Sequence, residues 1–153
     1  MKVSLKFLVI ALALSALIFG CDKDNPVDDD THSEHAEAVG LVITQDSSEI
    51  VRYESGTVTG KITVKVGAET PLLFVQFIDE HDGDLFTPDI EHHSLAFTVA
   101  NVAIAEVIQN AKDGLGKFYI QGKSAGSTTI EIKILHEDHA DFVSAHIPVE
   151  VTL

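Results

Sequence analysis

Histidine and carboxylate crowd together at His136-Glu137-Asp138-His139-Ala140-Asp141, two imidazoles and three carboxylates in six consecutive positions. Neutral imidazole nitrogen and carboxylate oxygen together suit Zn(II) or Cu(II). The spacing His136-x-x-His139 can set both rings on one side of a turn. A second group lies upstream between Asp79 and His93, where His81, His92 and His93 stand among Asp79, Glu80, Asp82, Asp84, Asp89 and Glu91. Adjacent residues of an extended backbone face opposite ways, so one of His92 and His93 is expected to ligate and the other to point elsewhere. Glu137, Asp141 and Glu91 are second-tier ligands, as are His32 and His35, a further His-x-x-His near the N-terminus. Asp79-Glu80-His81-Asp82-Gly83-Asp84 sets acids around a turn glycine as calcium loops do. It lacks the EF-hand spacing and terminal glutamate, so Ca(II) ranks below the transition metals. His146 alternates with Ala145 and Ile147 and is expected to face solvent.

These residues must be positioned by strands. Val39 to Thr44, Ile50 to Tyr53, Gly60 to Val66, Leu72 to Ile78, Leu95 to Val99, Phe118 to Gln121, Thr128 to Leu135 and Phe142 to Leu153 are short apolar or alternating runs. They recur at spacings near ten residues, with Gly, Pro, Asp and Asn between them, the pattern of an antiparallel sandwich. Ala100 to Asn110 is the one stretch that resembles a helix, and its Val-Ala-Ile-Ala-Glu-Val centre has the length of a strand. Strand is therefore expected there. No internal repeat is present.

Asn101-Val102-Ala103-Ile104-Ala105-Glu106-Val107, followed by Phe118-Tyr119-Ile120-Gln121-Gly122-Lys123-Ser124-Ala125-Gly126-Ser127-Thr128-Thr129-Ile130, resembles the bacterial immunoglobulin-like group 2 (Big2-like) module. The resemblance covers about residues 60–153 and implies an immunoglobulin-like β-sandwich over residues 39–153. Two departures stand out. Ser94 to Val99 replaces the usual tryptophan-centred strand, and the loop before it is long and rich in histidine and acids. In such a sandwich Leu72–Ile78 is strand B, Leu95–Val99 strand C, Thr128–Leu135 strand F and Phe142–Val151 strand G. The B–C loop (79–93) and the F–G loop (136–141) then emerge at one end, bringing His81, His92, His93, His136 and His139 within reach of one another. As exposed loop side chains they are expected to contribute little to stability without metal.

The first twenty residues have the layout of a secretory signal: Lys2 and Lys6, an apolar run from Phe7 to Phe19, then Gly20. The apolar run is short for a membrane span, which needs about 20 residues. Leu17-Ile18-Phe19-Gly20-Cys21 resembles the lipobox of bacterial lipoproteins, which implies acylation at Cys21, the one cysteine of the chain. Residues 21–38 read as an acidic flexible tether. The leader takes Lys2 and Lys6 with it, leaving 8 basic residues against 24 acids and moving the formal charge from −14 to −16. Such a surface repels phosphate backbones, which argues against nucleic acid as a partner, and concentrates cations. Loss of the one methionine with the leader and acylation of Cys21 leave no soft ligand for Cu(I).

No Gly-x-Ser-x-Gly elbow, thiol nucleophile, His-Glu-x-x-His helix or phosphate-binding glycine loop is present, so the chain reads as a binding protein and not an enzyme. The expected function is capture, buffering or delivery of Zn(II) or Cu(II) in the bacterial cell envelope. The protein would sit lipid-anchored on the periplasmic or cell-surface face, with a metal transporter or outer-membrane receptor as partner. The alternative is an adhesive module gripping protein or glycan with the same loops, in which Phe86 is the only aromatic of the B–C insert.

Overall fold

The computed structural model describes residues 36–137 and 139–153. The expected anchor at Cys21 and the His32/His35 pair lie outside the described residues, as does Asp138. The described chain is all-β. Its strands are β1 (Ala38–Gln45), β2 (Ser48–Glu54), β3 (Thr57–Gly60), β4 (Ile62–Lys65), β5 (Leu73–Asp79), β6 (Leu85–Phe86), β7 (His93–Val99), β8 (Ala105–Ile108), β9 (Lys117–Gly122), β10 (Gly126–His136), β11 (His139–Val143) and β12 (Ile147–Thr152). A single 3-10 turn, Ala111–Asp113, interrupts them. Among the described residues no helix is long and apolar enough to cross a membrane.

Two sheets carry the fold. The first runs β3-β2-β1-β5-β9-β8, with β6 paired to β5; the second runs β11-β10-β12-β4, with β7 paired to β10. All pairings are antiparallel except β4 with β12, which is parallel. Strands B, E and D of the sandwich are β5, β9 and β8, and C, F and G are β7, β10 and the β11/β12 pair. The hairpins β1–β2–β3 extend the first sheet by adding β1 to β5. Alternation drives the layering: along β10, Thr128, Ile130, Ile132, Ile134 and His136 are all buried while their neighbours are less so. The sheets meet through Phe77 on β5 and Phe142 on β11, edge to face at 5.4 Å, and through Phe97 on β7 and Phe118 on β9 at 4.8 Å. Each fully buried aliphatic or aromatic side chain here contributes about 1.5–3 kcal/mol.

Three expectations are corrected. Residues 136–141 are not a loop: His136 ends β10, and His139 to Asp141 already belong to β11, so the connection is a tight turn entered by Glu137 at φ 52°. Strand G is broken into β11 and β12 at Ser144. Of Ala100–Asn110, only Ala105–Ile108 is strand. The Asn101 side chain accepts the Ala103 N–H at 3.1 Å and its carbonyl accepts that of Ile104 at 3.1 Å, closing an Asx-type turn before the strand begins.

Candidate metal centre

β10 is flanked on one edge by β7 and on the other by β11, and the register places three histidines in one row. His136 pairs with His93 on β7 and with His139 on β11. Directly opposed residues share a face, so the three rings stack across the sheet. Centroids lie 5.2 Å apart for His93–His136 and 5.4 Å for His136–His139. Because His136 continues the inward face of β10, the row forms a polar end layer of the apolar core.

Asp141 joins this layer through a β-bulge. Register shifts between Ile134 and Leu135, with Leu135 opposite Ala140 and Ile134 opposite Phe142, so Asp141 is the extra residue of β11. A bulge re-aims side chains, and here both Asp141 and Phe142 turn inward. The Asp141 side chain is only 2 % exposed; its Oδ1 lies 3.2 Å from His139 Nε2 and its Oδ2 lies 3.5 Å from His93 Nε2. The Ala36 N–H donates to Asp141 Oδ2 at 3.0 Å.

The His93 ring is oriented from behind. Its backbone N–H donates to the Asp89 carbonyl at 2.9 Å, and ring Nδ1 approaches the same oxygen at 3.3 Å. A carbonyl only accepts, so this contact favours the tautomer with its proton on Nδ1, in which Nε2 carries the lone pair. That Nε2 is buried and makes no hydrogen bond, and it faces the carboxylate of Asp141. A lone pair and a carboxylate oxygen at this distance repel unless a positive charge, a proton or a metal ion, joins them. One ligand atom from each of His136, His139 and Asp141 lies within 4.8 Å of the others; His93 stands outside this group and meets it through Asp141 Oδ2 at 3.5 Å. Tetrahedral Zn(II) bonds of about 2.0–2.1 Å separate ligand atoms by about 3.4 Å. Ligation would draw these atoms together by rotation of the side chains.

The remaining histidines are placed elsewhere. His92 is exposed and turns to Asp89, Nδ1 to Oδ2 at 2.7 Å. The alternation at His92-His93 thus sends one ring into the layer and the other out. Asp89 also accepts the Glu91 N–H at 3.0 Å; that bond, followed by the one from His92, holds its carboxyl below the usual range. Glu91 and Glu137 are exposed. His81 lies against Glu37 Oε2 at 3.1 Å and, with Glu80, forms a separate exposed group. His146 is exposed. A cavity of ≈ 390 Å³ lies between the two groups, lined by Glu37 and Glu80 on one side and His139 and Asp141 on the other. The role of Ala36 and Glu37 at this mouth was not legible in the sequence, where both belong to the acidic tether. Their one local signal is the small apolar pair Ala36 and Ala38, which packs partly against the core.

No protein-family model matches the chain, and no curated protein matches it. Among solved structures the chain is similar to S-layer protein SbsC domains 4 and 5, at 21% identity and a TM-score of 0.44, covering 74% of this chain and 54% of that one. SbsC domains 5–6 match at 24% identity and a TM-score of 0.43, covering 61% of this chain and 40% of that one. SbsC domains 4–9 match at 24% identity and a TM-score of 0.44, covering 61% and 13%. The chain therefore spans about half the length of these structures or less.

Proposed function

We propose that the protein is a lipid-anchored, extracytoplasmic binding protein that captures, buffers or delivers Zn(II) or Cu(II), held by His93, His136, His139 and Asp141. The observation that carries this reading is the buried His93 Nε2, without a hydrogen bond and 3.5 Å from Asp141 Oδ2, at the end of a row of three imidazoles. Three nitrogen donors and one oxygen suit borderline transition metals over Ca(II), which takes six to eight oxygens. His81 and His92, engaged with carboxylates at the surface, stand outside the shell. In the adhesive alternative Phe86 serves as anchor, but Phe86 packs against Phe77 with centroids 6.1 Å apart and is partly buried against the core.

Metal analysis and calorimetric titration of the purified full chain in detergent test the proposal. One Zn(II) or Cu(II) per chain is expected. His93→Gln and His139→Gln should each weaken binding by about tenfold or more, a loss of about 1.4 kcal/mol, while His81→Gln and His92→Gln leave affinity within about twofold. At metal one hundredfold above Kd the melting transition should gain about 2.7 kcal/mol. Absence of any metal uptake, or a gain that survives the paired change of His136 and His139, refutes the assignment.

A further inference from the structure

The chain enters the first sheet past the proposed metal layer, and one backbone hydrogen bond ties the two together. The Ala36 N–H donates to Asp141 Oδ2 at 3.0 Å across 105 positions of sequence. The entering segment is also held by the Glu80 N–H donating to the Glu37 carbonyl at 3.0 Å, by the contact of His81 with Glu37 at 3.1 Å and by the pairing of Ala38 with Asp79. Ala36, Glu37 and Ala38 also form one wall of the ≈ 390 Å³ cavity onto which His139 and Asp141 open. Asp141 is thus gripped by main chain at one oxygen and faces His139 with the other.

We propose that the Ala36 N–H is a positioning donor for Asp141, so that docking of residues 36–38 and occupancy of the metal layer are reciprocally coupled; this rests on the metal reading above. An ionised carboxylate has about four lone-pair sites, two on each oxygen, so Oδ2 can keep the amide at one site and face His93 and a metal with the other, while Oδ1 faces His139. The hydrogen bond fixes the rotation of a carboxylate that must otherwise lose that freedom on binding. Removing such an outer partner typically costs about 10–100-fold in metal affinity. Linkage makes the effect mutual: a bound ion immobilises Asp141 and thereby holds the Ala36 amide more firmly. The domain's entry segment is then pinned when metal is bound and released more readily when it is not.

Ala36→Pro removes the donor, and Ala36→Gly retains it. With the full chain in detergent, Zn(II) is titrated against a chromophoric chelator. The proline variant should bind about 10–100-fold more weakly than wild type, with the glycine variant within about twofold. In wild type, hydrogen exchange of the Ala36 amide should slow by about tenfold or more on saturation with Zn(II), while Thr59, on the distant edge strand β3, is unchanged. If the proline variant does not fold, the exchange measurement decides. Zinc uptake by wild type with unchanged Ala36 exchange overturns the coupling and leaves the metal site standing. No zinc uptake by wild type overturns the metal reading, and the coupling with it.

Discussion

At the scale of single residues, burial separates the histidines. His136 is only 7 % exposed and closes the inward face of β10, so its replacement disturbs packing even without metal, contrary to the expectation for an exposed loop side chain. For that reason a glutamine change at His139, whose side chain is 48 % exposed, is the cleaner probe of ligation. Asp89 shows what a surface carboxylate does here: it caps the Glu91 amide and carries His92, while its carbonyl orients His93. Its pKa is lowered, chiefly by the Glu91 N–H. A depressed carboxyl pKa contributes order above the unfolded value of about 3.9 and loses it as pH falls through the lower folded value. The Glu91 amide shift, followed by NMR, should therefore hold steady at pH 5 and titrate with a midpoint below about 3.9; a midpoint at or above that value contradicts the capping.

At the scale of elements, strand G breaks between β11, which carries His139 and Asp141, and β12. Ser144 bridges it: Oγ accepts the Ile132 N–H at 2.9 Å and donates to the Ala145 carbonyl at 2.8 Å, while the Ser144 N–H donates to the Ile132 carbonyl at 2.9 Å. Ser144→Ala leaves the buried Ile132 N–H without its acceptor and should cost about 1–3 kcal/mol, measurable by urea unfolding. A change below about 0.5 kcal/mol would show that water takes over the bond. Strict alternation would send Phe142 outward if His139 and Asp141 faced in. The bulge lets Asp141 and Phe142 both turn inward, because the extra residue resets the phase of the strand.

At the scale of the molecule, one core spans both sheets, and β10 runs through it with Ile130, Ile132 and Ile134 fully buried. Ile132→Ala should destabilise by about 2–5 kcal/mol in denaturant unfolding; a loss under about 1 kcal/mol would mean that the two sheets close over the gap. Cys21→Ser should abolish acyl labelling without shifting the unfolding midpoint of the sandwich, and an unlabelled wild-type protein would refute lipidation.

The sequence by itself determined the all-β class and most strands to within a residue or two, but it left open which of His92 and His93 turns inward and placed His136 in a loop. The strands follow from local period-two alternation bounded by turn residues. Composition supplied the metal-suited residue types. Register and the bulge belong to the tertiary structure, because both are set by pairing between segments far apart in the chain. They brought His93, His136 and His139 into one row, turned Asp141 inward and left His81 and His92 outside. The donor from Ala36 to Asp141 spans 105 positions, and no local pattern encodes a backbone amide's partner at that distance.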